Sequence, residues 1–478
     1  MKRKAQGKRL IVCTFALCAL ASSAVTAAEP SAAKAKPNVV FLLTDDQRPD
    51  TIAALGNAFI KTPNLDKLAG SGVAFRNAYC FGAYEGAVCV PSRAQILTGL
   101  NLFHLKTAPE YVANQINPQN YPTTFARTMK AAGYATLRSG KQGSTPAKMY
   151  KDFDQEFTIA RSETCGARHA DNGIRFIREH AGKRPFFLYL EFATPHDPQP
   201  APAEYYAMYK PEDLPLPVSF MPYHPFDNGE MKIRDEQTLP WPRTKESVTG
   251  KLARYYASIT YTDEQIGRVL KALDETGQRD NTIIVFAGDN GLSLGDHGLL
   301  GKQNLYEFGG MHVPLMIAGP GIQSARSGAL AYLYDIFPTV CELAGIAVPA
   351  GLDGRSLAPV LKGEKAKVRD YAFTCYRDVQ RAVRDERWKL IRYPHINKTQ
   401  LFDLQADPHE MNDLADKPEF AAKAKEMLAL LEKAQKECGD NRPLQVANPL
   451  EAKWTPPASN PKRSAGRKSK QSVAEDKS

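Results

Sequence analysis

Long apolar runs are scarce in this chain. After residue 28 none reaches the roughly 20 residues that a membrane-spanning helix needs, so the mature protein is not expected to engage a membrane. Cysteine is scarce too, with 8 in 478 residues. Cys13 and Cys18 fall in the leader described below. With Cys89 also set aside, Cys80, Cys165, Cys341, Cys375 and Cys438 remain. An odd set leaves at least one thiol unpaired, and so few cysteines exclude a disulfide-built scaffold. A strong charge surplus is also missing. Lys and Arg total 62 against 52 Asp and Glu, but 5 of the basic residues belong to the leader, which leaves 57 against 52, or +5. Lys462, Arg463, Arg467, Lys468 and Lys470 hold much of that remainder. A near-neutral body has no nucleic-acid footprint, although a local basic pocket for an anion is compatible with it. Internal repeats are absent.

What is present begins with an export signal. Lys2, Arg3, Lys4, Lys8 and Arg9 precede the short apolar run Leu10 to Leu20, and small residues surround Val25, Ala27 and Ala28. This pattern reads as a signal peptide over 1–28, so the protein is expected to be exported, periplasmic or secreted. Residues 29–37 form an Ala/Lys/Pro linker. Short apolar runs then alternate with helical patterns, as in an α/β fold with a mainly parallel sheet. The clearest strands are Asn38 to Thr44, Tyr134 to Ser139, Phe186 to Ala193, Thr282 to Ala287 and Pro314 to Ala318. Helices are expected over 62–71, 91–98, 123–132, 171–181 and 250–276.

The stretch from Pro195 to Pro242 is rich in Pro, Tyr and Phe and has little periodicity. A connection this long is expected to shape a binding pocket. Tyr205, Tyr206, Tyr223 and Phe226 could stack on sugar rings there or pack the loop against the body. Beyond about residue 365 the pattern becomes short antiparallel strands, 371–376, 380–383, 388–393 and 400–404, then an amphipathic helix over 418–438. Residues 443–478 are Pro-, Lys- and Ser-rich and are expected to be disordered.

Chemistry-bearing residues cluster at strand ends. Asp45 and Asp46 end the first strand, and Asp289 and Asn290 follow the TIIVFA strand. One such pair alone is most often a cap or a turn. Two at the carboxyl edge of one sheet can converge, and three carboxylates with an amide oxygen suit Ca²⁺ or Mg²⁺. Lys141 and His196 follow two further strands. Cys89 opens Cys89-Val90-Pro91-Ser92-Arg93, with Leu97-Thr98-Gly99 beyond. Pro91 in a first helical turn and a closing Gly99 place Cys89 at a helix start, where backbone N–H groups favour an anion.

The C-x-P-S-R motif, the aspartate pairs and the segment around Lys302 resemble type I sulfatases of the alkaline phosphatase superfamily, including bacterial polysaccharide and iduronate-sulfatase-like enzymes. The resemblance spans roughly residues 37–444. It implies an α/β/α sandwich over 38–365 and a C-terminal α+β subdomain with an antiparallel sheet over 366–442. It implies a sulfuric ester hydrolase acting on a sulfated oligo- or polysaccharide. Cys89 is expected to be converted to formylglycine by a formylglycine-generating enzyme. Asp45, Asp46, Asp289, Asn290 and the modified Cys89 would hold the cation, usually calcium. Arg93, Lys141, His196 and Lys302 would be catalytic, with Lys141, His196 and Lys302 binding sulfate. His297 is a further candidate substrate contact. The family commonly reads Gly-Lys-x-His where this chain has Gly140-Lys141-Gln142-Gly143, so its second histidine is missing. His104 and His312 are replacements on residue type only. Two rival readings are a phosphate or phosphonate ester hydrolase of the same superfamily and a catalytically weak sulfated-glycan binder.

Overall fold

The structure, a computed structural model, describes residues 36–84, 86–105 and 121–456. The expected signal peptide, most of the linker and residues 457–478 lie outside the described residues. Thirteen strands are formed among those described. They are β1 (Asn38–Asp45), β2 (Val73–Tyr79), β3 (Gly82–Ala83), β4 (Ala135–Lys141), β5 (Gln155–Ile159), β6 (Phe186–Pro195) and β7 (Thr282–Gly288). The remainder are β8 (His312–Ala318), β9 (Ala325–Tyr332), β10 (Ala372–Tyr376), β11 (Gln380–Arg384), β12 (Trp388–Tyr393) and β13 (Lys398–Asp403).

The main sheet has eight strands in the order β5-β4-β6-β1-β7-β8-β2-β9. It is mixed and mainly parallel, with β8 antiparallel to both β7 and β2. The unbroken apolar run of β1 follows from burial on both faces. Val39, Phe41 and Leu43 enter one core while Val40 and Leu42 enter the other, the two-residue alternation of a strand. β7 divides likewise into Ile283, Val285 and Ala287 against Ile284 and Phe286. On one side lie helices Cys89–Thr98, Phe125–Ala131 and Ile336–Leu343, and on the other Pro63–Ser71, Cys165–His180 and Lys245–Glu275. Each fully buried Phe or Leu contributes roughly 1.5–3 kcal/mol. Thr244 caps the long helix at Lys245 by accepting from Ser247 N, so that helix starts five residues before the expected Gly250.

The smaller sheet runs β13-β12-β11-β10-β3. Its four C-terminal strands are antiparallel, and helix Ala421–Cys438 packs on them. β3 belongs to the N-terminal region and joins in parallel, Gly82 pairing with Cys375. A buried ion cluster ties the sheets together. Glu307, on the connection before β8, takes Lys389 at 2.9 Å and Arg384 at 3.3 Å and accepts from Tyr79 Oη at 2.6 Å. Residues 443–456 correct the expectation of disorder for that stretch. Leu444 O accepts from Arg392 Nε at 2.7 Å, Ala452 O accepts from Asp227 N at 2.8 Å, and Trp454 packs edge-on against Trp241. A backbone pair, one guanidinium and one indole hold a stretch whose composition alone reads as tail.

Candidate active site

Register places the chemistry. β1 lies between β6 and β7, with Asp45 opposite Pro195 and Thr44 opposite Gly288. Asp45 and Asp46, His196, and Asp289 and Asn290 therefore leave the carboxyl ends of three adjacent parallel strands. β4, next to β6, ends in Lys141. Asp46 adopts φ 67°, a left-handed turn that Asp tolerates, and its N–H donates to Asp289 Oδ1 at 3.0 Å. Cys89 is the first residue of its helix, which closes at Gly99 with φ 69°. N–H groups of a first helical turn lack intrahelical acceptors.

Cys89 Sγ lies 3.2 Å from Asp45 Oδ1 and 3.7 Å from Asp46 Oδ1. Lys302 Nζ is 3.2 Å from that sulfur and 2.5 Å from Asp46 Oδ1. A Cβ on Gly310 would collide with the Lys302 carbonyl, so a glycine is required where that loop folds back. Lys141 Nζ meets Asp45 Oδ2 at 2.5 Å. Arg93, fully buried, donates Nε to Asp289 Oδ2 at 2.9 Å and Nη1 to Ser144 Oγ at 2.7 Å, with Asp45 Oδ2 at 3.1 Å from Nη2. His196 Nδ1 donates to Asp197 O at 2.8 Å, which turns Nε2 toward Asp46 Oδ2 at 3.7 Å.

Electrostatics follow from burial. Asp45 is desolvated, yet Lys141, His196, Arg93 and Lys302 hold it well below the usual carboxylate range. Burial and the Asp45 carboxylate push Asp289 up to about 6 against the pull of Arg93. Burial, then Asp289 and Asp45, drive the Cys89 thiol upward, and Lys302 offsets only part of this. Burial lowers His196, while Asp46 and Asp45 oppose it.

The oxygen donors fit a hard divalent cation. Asn290 Oδ1 is buried without a hydrogen-bond partner, while its Nδ2 donates to Asp46 Oδ1 at 2.7 Å. An orphaned amide oxygen beside three crowded carboxylates is the donor set that Ca²⁺ or Mg²⁺ takes. Ligand atoms of Asp45, Asp46, Cys89 and His196 also lie within 4.8 Å of one another.

These groups open into a cleft of about 420 Å³ whose lining includes Cys89, Lys141, His196 and Lys302. The 195–242 segment adds Glu230, Ile233, Arg234 and Asp235 to the lining, and Arg377 comes from the smaller sheet. Of the expected residues, His297 does not reach the cleft. Its ring stacks on Tyr306 at 3.8 Å, and burial pushes its pKa down to about 3. Tyr205, Tyr206 and Phe226 pack the loop: Tyr205 and Tyr206 donate to Glu264 Oε2 and Gln199 O, and Phe226 sits edge-on to Tyr393. Tyr223 stacks on Trp241 instead. Gly143 lines the cleft in place of the family's second histidine. His104 pairs with Asp353 at 2.8 Å and His312 bonds Arg76 O at 2.7 Å, and neither lines the cleft.

Sequence reading missed Glu191. This buried carboxylate on β6 lies 3.3 Å from Arg93 Nη1 and also pairs with Arg138 and Thr145. The one signal was a charge inside an otherwise apolar strand. Arg377 was missed as well, because a hairpin in a different sheet gives no hint of its reach.

A carboxylate-rich strand edge, ammonium groups and a side chain at a helix start together make a site suited to a cation and an oxyanion. Residues 37–346 match the family described as Sulfatase, and residues 295–437 match the family described as N-sulphoglucosamine sulphohydrolase, C-terminal. The chain is 30% identical to an arylsulfatase of Clostridium perfringens over 80% of this chain and 91% of that protein. A solved structure in complex with its substrate D-glucosamine-2-N,6-O-disulfate superposes with a TM-score of 0.69 and 26% identity, covering 86% of this chain and 99% of that one. A phosphonate monoester hydrolase from Silicibacter pomeroyi gives 0.71 and 25%, covering 85% and 96%. The chain belongs to the sulfatase family, the sulfuric ester hydrolases.

Proposed function

We propose that this chain releases inorganic sulfate from a sulfated carbohydrate, using formylglycine formed from Cys89 and a divalent cation. The observation that carries this reading is the position of Cys89 Sγ, at a helix start between Asp45 and the Lys302 ammonium. A buried thiol held protonated is a poor nucleophile. The hydrated aldehyde supplies hydroxyl oxygen for attack at sulfur instead, the role family resemblance assigns to it. The cation, Ca²⁺ or Mg²⁺, supplies Lewis-acid polarisation of a sulfate oxygen when held by Asp45, Asp46, Asp289 and Asn290.

The chain's other residues bind and move charge. Lys141, Lys302 and Arg93 offset negative charge on the sulfate oxygens. His196 turns Nε2 toward the cleft as proton donor to the departing alcohol oxygen, and Asp46 and Asp45 offset part of the lowering that burial imposes on its pKa. The carbohydrate class is supported by the solved neighbour's sulfated glucosamine substrate. We place maturation with a formylglycine-generating enzyme and the working protein outside the cytoplasm, on the leader at 1–28. Among the described residues no helix is long and apolar enough to cross a membrane.

One observation favours a second reading. A phosphonate monoester hydrolase shares the fold, which favours the phosphate or phosphonate ester hydrolase reading. Rates on the sulfate, phosphate and phosphonate esters of 4-nitrophenol separate the two readings. The first experiment is mass spectrometry of the tryptic peptide 77–93 after co-expression with a formylglycine-generating enzyme. Conversion makes the peptide about 18 Da lighter. An unmodified thiol in a competent host sinks the formylglycine mechanism.

A further inference from the structure

One wall of the cleft carries charge that sulfate chemistry leaves unused. Arg377 comes from the turn between β10 and β11, where it adopts φ 46° and its N–H donates to Ala83 O at 2.7 Å. A left-handed conformation is uncommon for a non-glycine residue and often marks a functional constraint. The turn thereby carries the guanidinium over the loop before the nucleophile: a Cβ on Gly86 would lie 3.8 Å from Arg377 Nη2. Arg234 joins it in the lining of the cleft.

Both guanidiniums keep donors in reserve. Nη1 of Arg377 meets Glu230 Oε1 at 2.7 Å, and among the described residues Nε and Nη2 have no hydrogen-bond partner. Arg234 spends Nε and Nη2 on the single oxygen Asp235 Oδ1. The Arg377 side chain is 43% exposed and that of Arg234 is 64% exposed. These pairs are open on the arginine side only, since Glu230 is 10% and Asp235 5% exposed, so a substrate anion would take the donors left free rather than displace the carboxylates. A planar guanidinium takes carboxylate or sulfate in two parallel hydrogen bonds. Among the described residues, no Phe, Tyr or Trp lines the cleft to stack on a sugar.

We propose that Arg377 and Arg234 form a second anion-recognition element, so that the preferred substrate is a sulfated sugar with a further oxyanion group beside the scissile sulfate. This rests on the sulfatase reading above and adds the substrate's second charge. The shared chemistry is an oxyanion, which a second sulfate or a sugar carboxylate supplies.

The test measures binding to Cys89→Ala protein by calorimetry, so that turnover is not needed. The probes are a glucosamine monosulfate, glucosamine-2-N,6-O-disulfate and a sulfated hexuronate. One of the two dianionic sugars should bind at least about tenfold tighter than the monosulfate, and which one does so names the source of the oxyanion. Arg377→Ala should erase that gain, and Arg377→Lys should keep part of it, since charge remains but the fork is lost. Equal weakening of all three probes in Arg377→Ala, equal affinities in the parent protein, or no binding of any probe overturns the proposal. Sulfate release from 4-nitrophenyl sulfate by the converted enzyme decides the sulfatase reading separately.

Discussion

Lys302 Nζ stands 3.2 Å from Cys89 Sγ although 213 positions separate the two residues in the chain. The same ammonium meets Asp46 Oδ1 at 2.5 Å, so one buried cation serves both the nucleophile position and the carboxylate edge. Burial would lower the lysine's pKa, but the neighbouring carboxylates, Asp46 foremost, hold it well above its ordinary value.

Lys302→Met should lower kcat/KM for a sulfate ester by about 100-fold or more, the scale of losing one preorganised charge at a reacting oxygen. Stability should fall as well, by about 3–5 kcal/mol, because a buried ion pair loses one partner. Steady-state kinetics beside a thermal melt check both. Activity within threefold of the parent would remove Lys302 from the proposed sulfate site.

The oxygen-donor set makes metal dependence a direct expectation. Dialysis against a chelator should reduce sulfate release, and Ca²⁺ or Mg²⁺ should restore it. Asp289→Ala should weaken metal binding by calorimetry and lower activity together, with circular dichroism unchanged. Full activity in a metal-free preparation contradicts the proposed centre.

Glu191 sets the orientation of Arg93. Glu191→Gln keeps the shape but removes the charge facing Arg93 and Arg138. The expected result is a fall in kcat of about tenfold with little change in KM, since 1.4 kcal/mol of lost transition-state stabilisation is a factor of ten. A change in KM alone would instead place Glu191 in substrate binding.

Acid should act on histidines that the fold buries in neutral form. Burial lowers His169 to about 3, His224 to about 4 and His297 to about 3 from an ordinary value of 6.5. At these three rings the unfolded chain binds more protons than the folded one between pH 6.5 and about 4, so their share of stability rises with pH there, while Asp263 and Asp289, raised to about 6, and Glu410, raised to about 7, act in the opposite sense. This contribution is fully present above 6.5 and is lost on acidification, at about 1.4 kcal/mol per pH unit for each histidine. The drop in thermal midpoint from pH 7 to pH 4 should be smaller in His169→Gln than in the parent, and an equal drop contradicts neutral burial of that ring.

Much of this was legible in the chain itself. The apolar runs that became β1, β4, β6, β7 and β8 were expected within a few residues, because two-sided burial leaves a continuous hydrophobic signal. β2, β5 and β9 were not expected. They include the edges of the main sheet, where exposed positions such as Arg76, Glu156 and Arg326 break the pattern.

Local sequence also determined which residues stand at strand and helix ends: Asp45, Asp46, Lys141, His196, Asp289, Asn290 and Cys89. Such positions follow from short-range pattern, which a single sequence contains. Only the tertiary structure decided which of them meet. Strand order brought Asp45 between His196 and Asp289, and loop closure delivered Lys302 to Cys89 while turning His297 onto Tyr306. A second sheet carried Arg377 to the cleft. Those choices depend on pairing between segments far apart in the chain, which local periodicity does not encode.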